Sequence, residues 1–201
     1  MTLTLSCVPP QPDRAEILRY AGARYEDEVL SPVLDECLAQ ILDSLVYKAC
    51  YRTFPVHVCE NSLDLGFAEV NSKSLTRALE GCSHVILMAA TVGLAPDRLM
   101  ARYATLSPTK ALLFQAIGTE RIEALCDTVT GLLSAQCESE GAILRPRFSP
   151  GYGDLPLALQ REIFAALEPA RHIGLSLNES FLMSPTKSVT ALIGIAKHKE
   201  L

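Results

Sequence analysis

A run of apolar pairs at residues 27–49 restricts this chain to folds that contain a long surface helix. The pairs recur every four positions, beginning with Val29 and Leu30, and mainly polar residues separate them. Such spacing places the apolar side chains on one face of an α-helix and the polar ones on the other. We therefore expect an amphipathic helix over residues 27–49 that packs on a core supplied by the rest of the chain.

The sequence around this helix mixes strand and helix patterns. Segments rich in β-branched and aromatic residues predict strands, and Pro55 places one of them near a sheet edge. Ser107 followed by Pro108 predicts the start of a second long helix, in which Gly118 marks a close contact. The predicted strands are residues 51–59, 63–70, 83–91, 173–177 and 188–196, and the further predicted helices are 15–20, 74–79, 96–103, 108–136 and 156–167. The mixture predicts an α+β fold, with an antiparallel sheet packed against two long helices in a single domain, residues 1–201.

Composition and charge exclude several classes of function. Apolar residues form 49% of the chain and charged residues 20%, which is typical of a globular domain. The net charge of -5 provides no basic surface for nucleic acid. The longest apolar run, near residues 85–90, is far shorter than the roughly 20 residues that span a bilayer. We therefore expect a protein that binds neither nucleic acid nor membrane.

The cysteines and the N-terminus indicate a reducing, cytoplasmic location. Seven cysteines lie at irregular spacings, and the first residues lack the charged and apolar regions of an export signal. The cysteines are thus expected to be reduced and mostly buried. No histidine stands at ligand spacing from a cysteine or carboxylate, so no metal site is predicted.

The common catalytic signatures are missing from the sequence. The chain lacks Gly-x-Ser-x-Gly, the phosphate-binding Gly-rich loop, His-Glu-x-x-His and the dinucleotide-binding Gly-x-Gly-x-x-Gly. A Rossmann-like methyltransferase is therefore disfavoured, and no catalytic residue is predicted.

One segment carries the residue types of a ligand site. Residues 145–154 read Arg-Pro-Arg-Phe-Ser-Pro-Gly-Tyr-Gly-Asp, an extended stretch that ends in a turn. The Arg147 guanidinium can hold a carboxylate through two parallel hydrogen bonds. Gly151 allows a sharp bend that exposes backbone groups, and Tyr152 supplies a flat ring and a hydroxyl. The alternative is a structural turn beside a surface arginine.

The same segment resembles a loop of a known family. Residues 147–152, Arg-Phe-Ser-Pro-Gly-Tyr, resemble the Arg-Pro-Ala-Pro-Gly-Tyr loop that binds S-adenosylmethionine in the activation domain of cobalamin-dependent methionine synthase. After an intervening helix, residues 173–189 resemble that domain's Gly-x-x-Leu-Thr-Glu-Ser-x-x-Met-x-Pro-x-x-Ser-Val block in the same order and spacing. Residues 84–93 and 115–118 are also similar, so the resemblance covers about residues 83–196.

The resemblance implies a stand-alone reactivation module. Such a domain binds S-adenosylmethionine beside the cobalamin of the synthase, where reduction of inert cob(II)alamin, commonly by flavodoxin, is made irreversible by methyl transfer. A chain of 201 residues has no room for the cobalamin, homocysteine and folate domains. The expected partners are a separate cobalamin-binding methionine synthase subunit and a flavodoxin-like electron donor. The expected cofactors are S-adenosylmethionine and the partner's cobalamin, and the chain alone is expected to be non-catalytic.

The resemblance also assigns five residues to the S-adenosylmethionine site. Arg147 matches the arginine that holds the methionyl carboxylate, and Ser149 and Gly151 match positions whose backbone contacts the ligand. Tyr152 matches the loop tyrosine beside ligand and corrin. Glu123 matches a helix carboxylate at the ligand site; its alternative is an ordinary solvated helix face.

The resemblance assigns no single role to several other residues. Glu179 and Ser180 fall in the family block, with Asn178 in place of threonine, and a role in the turn accounts for them better than ligand contact. Asp13 and Asp27 are candidates for the acidic residue that the family uses at the ligand's amino group.

One departure and two alternative functions complete the sequence reading. Lys187 stands where the family has a small residue, and the sequence offers no role for it. One alternative function is an enzyme that uses S-adenosylmethionine to methylate a small molecule, which would need a general base near the loop. The other is a regulatory protein that senses S-adenosylmethionine or another amino-acid ligand.

Overall fold

A five-stranded antiparallel sheet with helices on both faces forms the body of the protein. The computed structural model describes residues 1–59 and 62–197. The strands are β1 (Leu3–Leu5), β2 (Lys48–Pro55), β3 (His57–Val58), β4 (Leu63–Asp64), β5 (Glu69–Val70), β6 (Cys82–Thr91), β7 (Ala142–Leu144), β8 (Ser176–Leu177), β9 (Met183–Ser184) and β10 (Ser188–Lys197). The helices are α1 (Arg14–Tyr20), α2 (Leu30–Ile41), α3 (Lys73–Ala78), α4 (Ala95–Tyr103), α5 (Pro108–Ser139), α6 (Gln160–Leu167) and α7 (Pro169–Ile173), with 3-10 turns at Leu42–Ser44 and Leu157–Leu159. The α+β class and the antiparallel sheet predicted from the sequence are confirmed.

The main sheet has the strand order β1-β2-β6-β10-β7, and each neighbouring pair is antiparallel. The longest pairing joins β6 and β10, from Ser188 opposite Thr91 to Ala196 opposite Cys82. From residue 85 onwards β6 is buried, as expected for a strand covered on both faces. β7 pairs with the end of β10 and is the edge strand on that side of the sheet. The segment that follows β7 therefore starts at this edge.

Side chains of β6 alternate between two hydrophobic layers. Ile86 and Met88 pack on α5 in one layer, which we call the α5 layer. Val85 and Leu87 pack with α6 and α7 on the opposite face, in what we call the α6 layer. A third cluster joins α1 and α2 to the first half of α5. One helix, α5, is therefore shared by two of the three clusters.

The helix α5 begins where its capping residues predict. The Ser107 hydroxyl accepts a hydrogen bond from the Lys110 amide at 3.4 Å, and Pro108 is the first helical residue. Gly118 lies in the predicted close contact, because a Cβ atom there would be 2.9 Å from the Lys187 side chain and 3.0 Å from that of Pro96. α5 spans 32 residues, slightly more than predicted.

The helix predicted over residues 27–49 is shorter than its apolar pattern suggests. Helix α2 ends before the first 3-10 turn, and Ala49 already belongs to β2. Asp27 sets the start, since its carboxylate accepts hydrogen bonds from two amides at the beginning of α2. After the 3-10 turn, the Val46 amide donates to the Val92 carbonyl. The chain at Val46 is therefore bonded to the residue that follows β6, and it does not continue the helix. The described residues therefore contain one long helix, not two.

Three of the predicted strands also differ from the structure. Residues 51–59 divide between β2 and β3, which belong to different sheets. Residues 63–70 form the hairpin of β4 and β5, because Gly66, with a φ of +72°, lies in a turn between them. Residues 173–177 combine the end of α7 with β8. In contrast, Pro55 lies as predicted on an edge, because β1 pairs only with residues 49–51 of β2.

Candidate functional site

The segment that leads from β7 into the candidate loop is held along β10. The Arg145 amide donates to the Gly194 carbonyl at 2.8 Å, and Phe148 exchanges two hydrogen bonds with Leu192 at 2.9 and 2.8 Å. The segment holds one extra residue relative to β10, since Leu144 lies opposite Ile195 and Phe148 lies opposite Leu192. After that extra residue, the neighbouring side chains of Arg147 and Phe148 point to opposite faces of the sheet. Arg147 therefore reaches α5, and Phe148 packs in the α6 layer.

Arg147 and Glu123, which the sequence assigns to one site, are in contact. Arg147 Nη2 donates to Glu123 Oε2 at 3.2 Å. Arg147 Nη1 donates to Asp127 Oδ1 at 2.8 Å and to Thr130 Oγ1 at 3.4 Å. The arginine side chain is 23% exposed, against 44% for Glu123 and 74% for Asp127. The guanidinium thus lies against α5 with two carboxylates of one helix face beside it.

Sequence reasoning missed Asp127. It follows Glu123 by four residues, which places both carboxylates on the same face of α5. That spacing is the signal that would have found it once Glu123 was assigned. The contact with Arg147 itself joins residues 20 positions apart and is visible only in the fold.

An acidic groove of about 350 Å³ between α1 and α5 begins at these two carboxylates. Its lining residues are Asp13, Glu16, Tyr20, Glu120, Glu123, Ala124 and Asp127. The Asp13 carboxylate caps α1, and the backbone amide of Asp13 donates to Glu120 Oε1 at 3.2 Å. Of the two N-terminal aspartates considered above, Asp13 shares a groove with Glu123, whereas Asp27 caps α2.

The loop is shaped by its own hydrogen bonds. Gly151 has a φ of +88°, the left-handed conformation expected at this turn, and its amide donates to the Leu155 carbonyl at 2.9 Å. The Ser149 hydroxyl donates to the Thr190 carbonyl at 2.9 Å, and the Ser149 carbonyl accepts the Tyr152 amide at 3.2 Å. The Gly151 amide is therefore engaged within the loop, and the Ser149 hydroxyl holds the loop on β10.

Tyr152 turns the other way from Arg147. Its side chain is 71% exposed, and its ring meets the Phe148 ring edge-on, with 5.4 Å between centroids and 82° between planes. Since Phe148 packs in the α6 layer, Tyr152 is supported from that face of the sheet, while Arg147 rests on α5. The structure thus brings Arg147 to Glu123, and it places Tyr152 on the side of the α6 layer.

Asp154 anchors the end of the loop, and sequence reasoning did not single it out. Its carboxylate accepts hydrogen bonds from the Ser72 hydroxyl at 2.6 Å, the Lys73 amide at 2.8 Å and the Ser74 amide at 3.1 Å. These bonds, that of Ser72 first, hold the pKa of the carboxyl well below its ordinary value. Gly153 fits closely against the same turn, because a Cβ there would be 2.8 Å from Ser74 Oγ. The loop is therefore fastened to the start of α3.

The second family-like block forms the β8–β9 hairpin and the start of β10. Glu179 and Ser180 are exposed in a turn where the Asn178 side chain accepts the Ser180 and Leu182 amides, both at 2.9 Å. Lys187 is 9% exposed, and its Nζ donates to Thr119 Oγ1 at 2.8 Å. Burial lowers the pKa of this amine, with an opposing effect from Asp97.

The cysteines are free thiols. Cys37, Cys50, Cys126 and Cys137 are buried, and burial raises the pKa of the Cys50 and Cys126 thiols to about 12. Within residues 1–59 and 62–197, no three histidine, cysteine or acidic side chains are grouped so that they could hold a metal ion. In the same part of the chain, each helix is too short or too polar to cross a bilayer.

Comparison with known proteins identifies the fold. No protein-family model and no curated protein matches the chain. Among solved structures, the chain is similar to the crystal structure of the MetH reactivation domain bound to AdoHcy, with a TM-score of 0.66 and 15% sequence identity. The match covers 100% of this chain and 80% of that one. At this identity the likeness shows a shared fold, and it confirms the fold that the sequence resemblance predicts.

Proposed function

We propose that this chain binds S-adenosylmethionine at residues 147–152 and reactivates a separate cobalamin-dependent methionine synthase. The observation that carries the proposal is the Arg147 guanidinium, which lies beside the Glu123 carboxylate at the start of the loop that bears the exposed Tyr152 ring. The shared fold with a MetH reactivation domain that binds AdoHcy supports it, as do the family-like blocks at residues 147–152 and 173–189.

The residues at this edge of the sheet fit an amino acid joined to a flat heterocycle. Arg147 can hold a carboxylate through its two terminal nitrogens. Glu123 and the acidic groove that continues to Asp13 suit an ammonium group. The Tyr152 ring has an exposed face on which a heterocycle can stack. Because the Gly151 amide already donates within the loop, a backbone contact from Gly151 would use its carbonyl.

In this proposal the chain contributes positioning, and S-adenosylmethionine supplies the reactive methyl group when it is bound. Arg147 and Glu123 fix the amino-acid end against α5. The bonds of Ser149 to β10 and of Asp154 to α3 keep the loop from moving with the ligand. The remaining end of the ligand is then open to a docked partner that carries the methyl acceptor.

The first experiment tests binding. Isothermal titration should show that S-adenosylmethionine binds the wild-type chain, and Arg147→Ala should weaken binding by roughly 2–4 kcal/mol, because a charge-assisted pair to the carboxylate is lost. Arg102→Ala, which removes an exposed arginine from α4, is the matched control and should leave the affinity unchanged. Equal affinity of the Arg147→Ala and wild-type chains would show that the assigned site is wrong.

The second experiment tests the reaction. With S-adenosylmethionine alone the chain should show no turnover above the uncatalysed background. Addition of a cobalamin-loaded methionine synthase subunit and a low-potential reductant should form methylcobalamin, seen in the corrin absorption spectrum. Consumption of S-adenosylmethionine on a small molecule without any corrinoid would favour the methyltransferase alternative. Ligand binding with no effect on any cobalamin protein would favour the sensor.

A further inference from the structure

The guanidinium of Arg147 is already engaged by acidic side chains of the same protein. Its two terminal nitrogens donate to Asp127 at 2.8 Å and to Glu123 at 3.2 Å. These are the nitrogens that a bidentate carboxylate would use. A ligand carboxylate can therefore reach Arg147 in full only where one of the resident carboxylates gives way.

Of the two carboxylates, Asp127 is the one that can give way at low cost. It makes the shorter contact, yet its side chain is 74% exposed, so water can solvate the carboxylate as soon as it turns aside. Glu123 is less exposed, at 44%, so water solvates a displaced Glu123 carboxylate less readily. Ion pairs between exposed side chains are worth little individually, about 0.2–1 kcal/mol, so the displacement is readily reversible.

We infer that Asp127 is a resident competitor for Arg147, which a ligand carboxylate must displace before it binds the guanidinium. This inference rests on the proposed function for its ligand, but the competing contact itself does not. Asp127 thereby lowers the affinity for carboxylate ligands and acts as a specificity-determining residue. Simple anions meet two carboxylates at the arginine, whereas a zwitterionic amino acid brings an ammonium group that can bind Glu123, the carboxylate that stays in place.

A binding test should use S-adenosylhomocysteine as the probe. This thioether has no sulfonium charge, whose attraction to Asp127 would oppose the gain expected from removing the competitor. Asp127→Asn keeps the shape of the side chain and should tighten binding roughly 1.4- to fivefold, the range expected from one exposed ion pair. Glu138→Gln is the matched control, because it removes another exposed carboxylate from α5 about 16 Å along the helix axis.

A chemical test measures how far Asp127 shields the Arg147 guanidinium when no adenosyl ligand is present. Phenylglyoxal reacts with guanidinium groups that are accessible and unpaired, and mass spectrometry of the digested protein reports the reaction rate of Arg147. Asp127→Asn should raise that rate roughly 1.4- to fivefold relative to wild type and to Glu138→Gln.

The two tests separate the inference from the proposed function. If S-adenosylhomocysteine binds all three proteins equally and the Arg147 reaction rate is unchanged, the competitor role is wrong while the proposed ligand class stands. If neither adenosyl ligand binds any of the proteins but Asp127→Asn raises the reaction rate, the competition is real and the proposed function is wrong. Tighter binding together with a faster reaction supports both.

Discussion

Lys187, whose role the sequence left open, is explained by two neighbours. Its aliphatic stem lies over Gly118, and its amine donates to the Thr119 hydroxyl at 2.8 Å. Thr119 in turn donates to the Gln115 carbonyl at 2.9 Å. The lysine therefore fills space over α5 that Gly118 leaves open, but it buries a charge with a neutral partner.

We predict that Lys187→Met stabilises the protein at neutral pH. Burial lowers the folded-state pKa of the amine below its value in the unfolded chain, so the protonated amine costs stability at pH 7. That cost diminishes as the pH rises through the folded-state pKa towards the unfolded value. Urea unfolding should show a gain on the order of 1 kcal/mol at pH 7 and a smaller gain near pH 10.

The control for this substitution is Lys48→Met, which changes an exposed lysine at the start of β2. It should leave the free energy of unfolding nearly unchanged at both pH values. A Lys187→Met protein that is less stable than wild type at pH 7 would show that the bond to Thr119 outweighs the cost of burial.

Individual site residues were predictable to different degrees. Arg147 and Glu123 follow from matched motifs, and their ion pair agrees with a shared location. Asp127 and Asp154 depend on partners that the chain folds back to meet, 20 residues away for Asp127 and about 80 for Asp154. Local patterns do not encode such distances, so neither contact follows from the sequence.

Among the elements, the candidate loop and α3 are coupled through Asp154. We predict that Asp154→Ala loosens both, because the Ser72 hydroxyl and the Lys73 and Ser74 amides lose their acceptor. Hydrogen exchange should become faster at the Lys73 and Ser74 amides and in residues 149–153. Asp43→Ala, a change in the first 3-10 turn, is the control and should leave exchange in both regions as in wild type.

The same carboxylate makes the loop sensitive to acid. Its hydrogen bonds lower the folded-state pKa of Asp154 below the unfolded value, so its stabilising contribution is complete above that value and is lost as the pH falls below it. Exchange in residues 149–153 of the wild type should therefore approach that of Asp154→Ala in acid, after correction for the intrinsic rate. A difference between the two proteins that stays constant down to pH 2 would contradict this assignment.

The boundaries of the elements were predictable where capping residues mark them. Ser107 and Pro108 place the start of α5 correctly, because the cap is a local interaction. Apolar spacing alone extended α2 too far, since the same residues also suit the 3-10 turn and the strand that follow. Gly66 was assigned to a strand, although its positive φ belongs to a turn.

At the scale of the whole molecule, a buried ion pair ties the N-terminal segment to α5. Arg121 is 2% exposed and Glu120 is 6% exposed, and the two side chains are hydrogen-bonded. Arg121 also donates to the Pro10 carbonyl at 2.6 Å, and Glu120 accepts the Asp13 amide at 3.2 Å. The pair thus links chain segments about 110 residues apart.

We predict that Arg121→Met destabilises the fold by about 3–5 kcal/mol, because it leaves Glu120 buried without its cation. The double change Glu120→Gln with Arg121→Met should recover a large part of that loss, since no unpaired charge remains. Urea unfolding of the single and double variants measures both values. A double variant as unstable as the single one would show that the bonds to Pro10 and Asp13, rather than the charge, hold the segment.

The overall fold was accessible from the sequence because the matched blocks are spread from residue 83 to residue 196 in a fixed order. The solved structure of the MetH reactivation domain shares this fold at only 15% identity. The groove between α1 and α5 lay beyond prediction, because α1 belongs to the part of the chain without a family-like motif.

The register of the chain between β7 and Phe148 indicates how relatives of this protein can differ in length. Leu144 lies opposite Ile195 and Phe148 lies opposite Leu192, so the three residues between them face two residues of β10. A chain that lacked one of the three would form a regular antiparallel strand, in which Phe148 would still lie opposite Leu192 with its ring in the α6 layer. Across a lineage, gaps between homologous chains should therefore include one-residue deletions in this stretch, while the arginine and the aromatic ring keep their order before the loop.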